Sequence, residues 1–142
     1  MNVEIRRLYL GDDALVKRIA EDVFDEPVRP DRLAAYLASP GHFMIVALSD
    51  GTVVGQCAAV VHRHPDKVSE LYIDEVGVSP AYQRQGIARK ILDAMFALGR
   101  EQGCGEAWVG TEPDNLAARA LYGSRKEAHG PAETFVMYVY EL

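Results

Sequence analysis

The feature that most constrains the fold is a strand-like run, Ser69 to Val78, in which the positions of the apolar side chains change parity halfway. They occupy odd positions first and even positions afterwards: Leu71 and Ile73, then Val76 and Val78. Because side chains on a β-strand alternate between two faces, these four can share one face only if the register shifts by one residue. A β-bulge provides that shift, increases the twist and leaves backbone groups unpaired.

The pair Asp74-Glu75 lies where the parity changes and is the predicted position of the bulge. Two adjacent carboxylates fit poorly in the middle of a buried sheet, because burying an unpaired charge is costly. The alternative is a strand buried on both faces, and Tyr72 favours that alternative.

The other patterns predict a mixed α+β domain rather than the regular alternation of a doubly wound fold. Asp50-Gly51 between two β-rich runs indicates a hairpin. Apolar spacing and turn residues place strands at 3–10, 43–48, 52–61, 69–78, 107–110 and 135–140, and helices at 15–23, from Asp31 as N-cap, at 86–102 and at 115–122.

Composition limits the partners. Fifteen Lys and Arg against 21 Asp and Glu give a net charge of -6, which argues against nucleic acid and favours cationic ligands. No apolar run approaches the roughly 18 residues of a membrane span, and the N-terminus lacks a signal-peptide pattern, so we expect a cytoplasmic protein with no membrane partner. The two cysteines have no CxxC spacing, which excludes a typical redox or metal motif.

A six-residue turn, Gln83 to Ala88, joins the parity-changing strand to the longest predicted helix. Backbone N–H groups are unpaired at a helix start and the helix dipole is positive there, so the turn predicts an anion site suited to a phosphate. Gly86 lets a ligand approach the backbone closely, and Arg84 and Arg89 add positive charge. The alternative is an ordinary helix start with solvated arginines.

Two motifs resemble the signatures of the GNAT N-acetyltransferases. The acetyl-CoA signature of that family, Gln/Arg-x-x-Gly-x-Gly/Ala, is similar to Gln83-x-x-Gly86-x-Ala88, which follows Val76-Gly77-Val78-Ser79-Pro80. The second signature is similar to Asn115 followed seven residues later by Tyr122. Within the family, the run from Glu70 into the signature most resembles the small aminoglycoside 3-N-acetyltransferase-like proteins.

The resemblance implies a single domain over residues 1–142 with the GNAT fold. That fold has a mixed, mostly antiparallel sheet of six to seven strands with about four helices, and the sheet splays after the bulged strand. The implied cofactor is acetyl-CoA, with its pantetheine arm added to the exposed strand edge and its pyrophosphate on the turn amides. The implied cofactor-binding residues are Val76, Gly77, Val78, Gln83, Arg84, Gln85, Gly86, Ile87, Ala88 and Asn115.

Acetyl transfer to an amine needs a base, because an amine with a pKa of about 10.4 is almost wholly protonated at neutral pH. Glu75 at the bulge is the predicted base and Asp74 the second candidate; the alternative for both is a solvated sheet end. Tyr122 is the predicted acid that protonates the departing thiolate, and its alternative is a core tyrosine. The Val76 backbone N–H is the predicted oxyanion donor. Asn115 is equally well explained as an N-cap.

Acidic residues flanking predicted helices lie where GNAT enzymes build the acceptor site, although a plain acidic surface also explains them. The candidate acceptor-binding residues are Asp25, Glu26, Tyr36, Glu112 and Asp114. His62 and His64 lack a third ligand, and we expect no metal.

The sequence thus predicts an acetyl-CoA-dependent transferase acting by direct attack on a small polycationic amine, with an aminoglycoside as one option. A polyamine, a peptide α-amine and a protein lysine stay open as acceptors. The alternative from another class is a non-catalytic acyl-CoA-binding module. A homodimer is compatible with either.

Overall fold

The computed structural model describes residues 2–142, which divide into two compact units, Met1–Gly110 and Thr111–Leu142. The first unit contains all five strands and two α-helices, and the second contains one α-helix. The elements are β1 Glu4–Arg7, α1 Pro30–Ala38, β2 His42–Ser49, β3 Thr52–His62, β4 Glu70–Val78, α2 Ile87–Glu101, β5 Glu106–Val109 and α3 Leu116–Gly123, with short 3-10 helices at Asp12–Leu15 and Pro80–Tyr82.

The five strands form one sheet in the order β1-β2-β3-β4-β5. The first three pairings are antiparallel and the last, between β4 and β5, is parallel. The mixed, mostly antiparallel α+β class is therefore confirmed. The counts differ from expectation, with five strands instead of six to seven and three α-helices instead of about four among the described residues.

The parity change in β4 is a register shift, as predicted. Ala58 on β3 pairs with Glu75, whereas the next residue, Ala59, pairs with Ile73, so Asp74 is the extra residue. Cross-strand partners share a face of the sheet. Beyond the bulge Val76 pairs with Cys57, so Ile73 and Val76 lie on the same face despite their opposite parity.

The helix predicted at 15–23 is wrong. Beyond a 3-10 turn at Asp12–Leu15, the chain runs irregularly beside β3, and its backbone groups bond to that strand instead of to each other. The Ala20 N–H donates to the Val53 carbonyl at 2.9 Å, and the Val53 N–H donates to the Arg18 carbonyl at 2.8 Å. The apolar residues of the pattern still face the core, where Val16 and Val23 are buried. The apolar spacing therefore indicated which residues are buried, but not a helix.

Helix α1 begins two residues earlier than predicted. Its N-cap is Arg29 and not Asp31, and Pro30 occupies the first helical position. Proline is favoured there because its missing N–H would be unpaired anyway and its φ is already helical. Asp31 lies in the first turn instead, where its charge complements the helix dipole.

The final strand predicted at Phe135–Tyr140 is also wrong: no regular structure follows α3 in the described chain. A strand exists only when a neighbour takes up its backbone hydrogen bonds. None of the described residues pairs with this segment.

Within residues 2–142, no helix combines the length and apolar character needed to cross a membrane.

Candidate active site

The bulge turns the carboxylate of Glu75 toward the face of the sheet that also carries Tyr72. Their partners on β3, Ala58 and Val60, are two residues apart and therefore point the same way. This is the face covered by the irregular chain before α1, since Ala58 packs in the same cluster as Val23. The register shift thus moves Glu75 away from the face packed by α2.

The groups around Glu75 shift the pKa of its carboxyl in opposite directions. Burial raises the pKa of its carboxyl, and the nearby Asp25 carboxylate raises it further. Hydrogen bonds from the Asp25 backbone N–H and from the Gln56 side chain oppose that rise, but the net direction is upward. A carboxylate with a raised pKa is a better proton acceptor, as a general base requires.

Gln56 is a site residue that the sequence analysis missed. It is fully buried on β3, directly opposite Gly77. Its Nε2 donates to the Val23 carbonyl at 3.2 Å, while its Oε1 has no hydrogen-bond partner among the described residues. A lone glutamine inside the apolar run 53–61 was the available signal, because buried polar groups are costly unless they are used.

The chain around Val23 approaches β4 closely at Gly77. A Cβ atom at this position would lie 2.2 Å from the Val23 carbonyl oxygen, so only glycine allows the contact. The segment 19–28 forms a shallow pocket of about 310 Å³ that includes Asp25 and Glu26, two predicted acceptor residues. A larger pocket of about 550 Å³ lies at the start of β1 and contains none of the predicted site residues.

Asp74 and Tyr36 interact on the same part of the sheet. Burial raises the pKa of Asp74, and His42 opposes the rise. The Tyr36 hydroxyl donates to the Phe43 carbonyl at 2.8 Å and also lies 3.2 Å from the Ala59 carbonyl; burial and the Asp74 charge raise its pKa. These two carbonyls hold the Tyr36 hydroxyl in one position.

Beneath the bulge, on the face of α2, Cys57 is fully buried opposite Val76. Burial, followed by the charges of Asp74 and Glu75, raises the pKa of its thiol to about 12. At neutral pH this thiol is therefore protonated, and it takes no part in nucleophilic chemistry.

Pairing between β4 and β5 ends at the bulge. β4 and β5 pair only from Glu70 opposite Glu106 to Ile73 opposite Val109. From Asp74 to Val78, β4 is paired with β3 alone, so one edge of its backbone is open among the described residues. An open strand edge of this kind can accept an extended ligand through main-chain hydrogen bonds.

The turn after β4 leaves the start of α2 open. Its N-cap is Gly86, in the left-handed region at φ 78°, and no described side chain caps the helix. Arg84 also has a positive φ of 64°, and the Gln83 side chain donates back to the Val78 carbonyl at 3.0 Å. The amides from Arg84 to Ala88 thus lie at an uncapped helix start beside an open strand edge.

The second unit holds the remaining predicted site residues. The Asn115 side chain accepts a hydrogen bond from the Ala118 N–H at 3.1 Å and caps α3, as the N-cap alternative predicted. Tyr122 lies half-buried in the last turn of α3, and Glu112 and Asp114 lie exposed in the segment before it.

The rings of His62 and His64 are tilted by 42° with their centroids 4.3 Å apart, and His64 pairs with Glu70. Within residues 2–142, no group of three or more potential ligands is placed to hold a metal ion.

Comparisons with known proteins agree with this architecture. The aminoglycoside acetyltransferase meta-AAC0020, from an uncultured soil metagenomic sample and solved with trehalose, superposes with a TM-score of 0.82 at 24% identity, covering 99% of this chain and 96% of that one. AAC(6')-Iy, solved with the bisubstrate analogue CoA-S-monomethyl-acetylneamine, gives 0.78 at 17% identity and covers 100% of both chains. At these identities the likeness establishes the fold.

Sequence comparison adds the family. The N-alpha-acetyltransferase RimI of Mycobacterium tuberculosis is 35% identical over 102 residues, which are 72% of this chain and 62% of that protein. The chain thus matches less than two thirds of this relative's length. A model of the acetyltransferase (GNAT) family matches residues 7–125, including both signatures that carry the resemblance. The chain therefore belongs to the acetyltransferase (GNAT) family.

Proposed function

We propose that this chain, as a cytoplasmic homodimer, transfers the acetyl group of acetyl-CoA to a primary amine of a small cationic acceptor by direct attack. The observation that carries the proposal is the bulge at Asp74. It turns Glu75 toward the acidic segment 19–28, at the point where the edge of β4 becomes open. The candidate base, the acidic segment 19–28 and the unpaired strand edge thus all lie at the same stretch of β4.

Acetyl-CoA fits this surface on two observations. The unpaired edge of β4 from Asp74 to Val78 suits an extended pantetheine arm, and the uncapped start of α2 at Gly86 suits a pyrophosphate. Val76, Val78 and the amides from Arg84 to Ala88 are the groups that would hold it. When bound, acetyl-CoA supplies the activated acetyl group as a thioester.

The chain's own residues supply proton transfer and charge. Asp25 and Glu26 attract the protonated acceptor, and the Glu75 carboxylate takes one proton from its ammonium group so that the nitrogen lone pair is free to attack. The Val76 backbone N–H stabilises negative charge on the carbonyl oxygen. As the carbon–sulfur bond breaks, the Tyr122 hydroxyl would donate its proton to the leaving sulfur and regain one from the nitrogen, which must lose a second proton to become the amide.

The acidic pocket and the solved relatives favour an aminoglycoside-like acceptor. The pocket of segment 19–28 is lined by three carboxylates, those of Asp22, Asp25 and Glu26, and the two solved structures named above are of aminoglycoside acetyltransferases. A peptide α-amine is the second candidate acceptor, because the mycobacterial N-alpha-acetyltransferase has the higher sequence identity, 35%.

An acceptor screen tests the proposal directly. Acetyl-CoA is incubated with the protein and a panel containing aminoglycosides, polyamines and short peptides with free α-amines, and free thiol is measured. We expect acceptor-dependent CoA release that is fastest with aminoglycosides. Release only with peptides would move the assignment to the second candidate. CoA binding without release for any amine would indicate a non-catalytic acyl-CoA-binding module.

We expect Gly86→Val to weaken CoA binding by roughly tenfold or more. Gly86 has a φ of 78° and nothing within 4 Å of a Cβ atom, so a side chain there projects into the space a pyrophosphate needs and also strains the turn. Gly103→Val is the matched control, because Gly103 has a φ of 82° and equally open surroundings at the other end of α2. Calorimetric titration with CoA measures both variants; equal affinities would refute the phosphate turn.

We expect Asp25→Asn to move the acid limb of the pH profile to lower pH. Glu75 acts deprotonated, so activity is lost as the pH falls through its pKa; because that pKa is raised, the loss comes at higher pH than for an ordinary glutamate. Removing the Asp25 charge removes one cause of the rise. The pH dependence of kcat/KM measures the shift, with Glu26→Gln as the neighbouring control. An unmoved limb would show that Asp25 does not act on the base.

A further inference from the structure

One polar side chain is enclosed in the apolar middle of β3. Gln56 is fully buried, and so are Cys57 beside it and Val46, its partner on β2. An apolar side chain would fill this position at lower cost, because a buried carboxamide loses its hydrogen bonds to water. The proton transfers proposed above use no atom of Gln56. Its carboxamide is therefore a buried polar group that still lacks an assigned function.

The surroundings of Gln56 determine which way its carboxamide points. Its Nε2 lies 3.2 Å from the Val23 carbonyl oxygen, and a carbonyl oxygen can only accept a hydrogen bond, so the amide nitrogen must face segment 19–28. Rotating the amide by a half turn would bring two oxygen atoms together there. The Oε1 atom is left buried without a partner among the described residues. The side chain is thus oriented by what its N–H groups bind.

The candidate base is a diagonal neighbour of Gln56 on the sheet. Gln56 pairs with Gly77, and Glu75 lies two residues before Gly77 on the same side of the bulge. Gln56 and Glu75 therefore share a face, at a diagonal spacing that long side chains can span. Burial and the Asp25 carboxylate raise the pKa of Glu75, whereas a hydrogen bond from the Gln56 side chain lowers it. An amide nitrogen carries two N–H donors, one for each of these two acceptors.

Segment 19–28 is attached to the sheet by contacts that do not involve Gln56. The Ala20 N–H donates to the Val53 carbonyl, and the Val53 N–H donates to the Arg18 carbonyl just before the segment. The Val23 side chain is buried in the core. The Val23 carbonyl is therefore a fixed anchor for the Gln56 amide, and it stays in place when the amide is removed.

We propose that Gln56 is a positioning residue for the candidate base: one N–H of its carboxamide is anchored on the Val23 carbonyl, and the other holds the Glu75 carboxylate. The anchored amide fixes the direction from which the carboxylate is bonded and favours its deprotonated form. Because Gln56 is fully buried, it does not touch the acceptor and acts on the rate instead of on acceptor affinity. Its effect on turnover rests on the proposed function, whereas its contact with Glu75 does not.

Gln56→Met tests this assignment, because methionine has a similar length and no hydrogen-bond donor. We expect kcat to fall by roughly tenfold or more, with the KM of the acceptor within about twofold of the parent. The acid limb of the pH profile should move to higher pH, since Glu75 acts deprotonated and loss of a hydrogen bond to its charged form raises its pKa. The charges of Asp25 and Asp74 are unchanged. A site that had only loosened would admit water to Glu75 and move the limb to lower pH.

Carboxyl NMR titration of Glu75, without CoA or acceptor, measures the contact independently of turnover. We expect a higher pKa for Glu75 in Gln56→Met than in the parent. Cys57→Ala is the matched control, because Cys57 is equally buried on the same strand but faces α2; it should leave the pKa of Glu75 unshifted. If the parent acetylates no amine, the proposed function fails, and the titration still decides whether Gln56 holds Glu75.

A second variant covers the case in which Gln56→Met does not fold. Gln56→Asn keeps a buried amide that is one methylene too short to bond both acceptors, and the pKa of Glu75 should again rise. The proposal is overturned by equal pKa values of Glu75 in the parent and in the folded variant, or by an acid limb that moves to lower pH.

Discussion

Replacing Glu75 by glutamine is expected to lower kcat/KM for the amine acceptor by about 10²–10⁴-fold, the usual contribution of a general base. Glutamine keeps the size and hydrogen-bonding capacity of the side chain but cannot accept the ammonium proton. The deficit should shrink as the pH rises, because an acceptor amine with a pKa of about 10.4 then loses its proton to water without help. Steady-state rates across pH, with CoA affinity measured in parallel, check both points.

Two further substitutions sharpen the Glu75 experiment. Glu70→Gln is the matched control, since Glu70 lies on the same strand and pairs with His64 instead of facing the acidic segment; its rate should stay within about twofold of the parent. Asp74→Asn tests the second candidate base. A full pH-dependent loss in Asp74→Asn with a normal Glu75→Gln enzyme would reverse the assignment.

Gly77→Ala is expected to cost roughly 1–3 kcal/mol of folding free energy and to weaken acceptor binding at the same time. The new Cβ would lie 2.2 Å from the Val23 carbonyl oxygen, so the backbone of segment 19–28 must move away from β4. That movement breaks the Gln56 hydrogen bond to Val23 and displaces Asp25 from Glu75. Denaturant unfolding and the KM of the acceptor measure the two effects.

Gly123→Ala is the control for Gly77→Ala, because nothing lies within 4 Å of a Cβ atom at Gly123 and the residue ends α3 without a positive φ. Its stability should equal or slightly exceed that of the parent. If Gly77→Ala lost stability but kept the parent's KM, the close contact at Val23 would matter for folding alone. An unchanged stability would contradict the contact itself.

The sequence predicted those features that are set by residues close together in the chain. Parity in Leu71, Ile73, Val76 and Val78 located the bulge because strand side chains alternate strictly, and the turn at Gly86 followed from the requirements of a helix start. The hydrogen-bond partner of a segment is not local information. For this reason the run 15–23, which bonds to β3, was mistaken for a helix, and the run 135–140 was expected to find a strand partner within the chain.

The contacts that shift the pKa of Glu75 could not be predicted from the sequence for the same reason. Gln56 and Asp25 are 19 and 50 residues from Glu75 in the chain, and only the folded sheet with its covering segment brings them together. The lone polar residue inside an apolar strand was visible, but its target was not. Asp25 and Glu26 were proposed from the sequence as acceptor-binding residues, and that role stays a prediction; the effect of Asp25 on the pKa of Glu75 required the fold.

The protonated state of Cys57 has a practical consequence for measuring turnover. Alkylating and disulfide reagents attack thiolates, and a buried thiol with its pKa raised to about 12 offers almost none at neutral pH. Colorimetric thiol reagents should therefore detect released CoA without consuming the cysteine beneath the bulge. The half-buried Cys104 is then the cysteine to replace, or to label with a fluorophore, because Cys57 beneath Glu75 does not react.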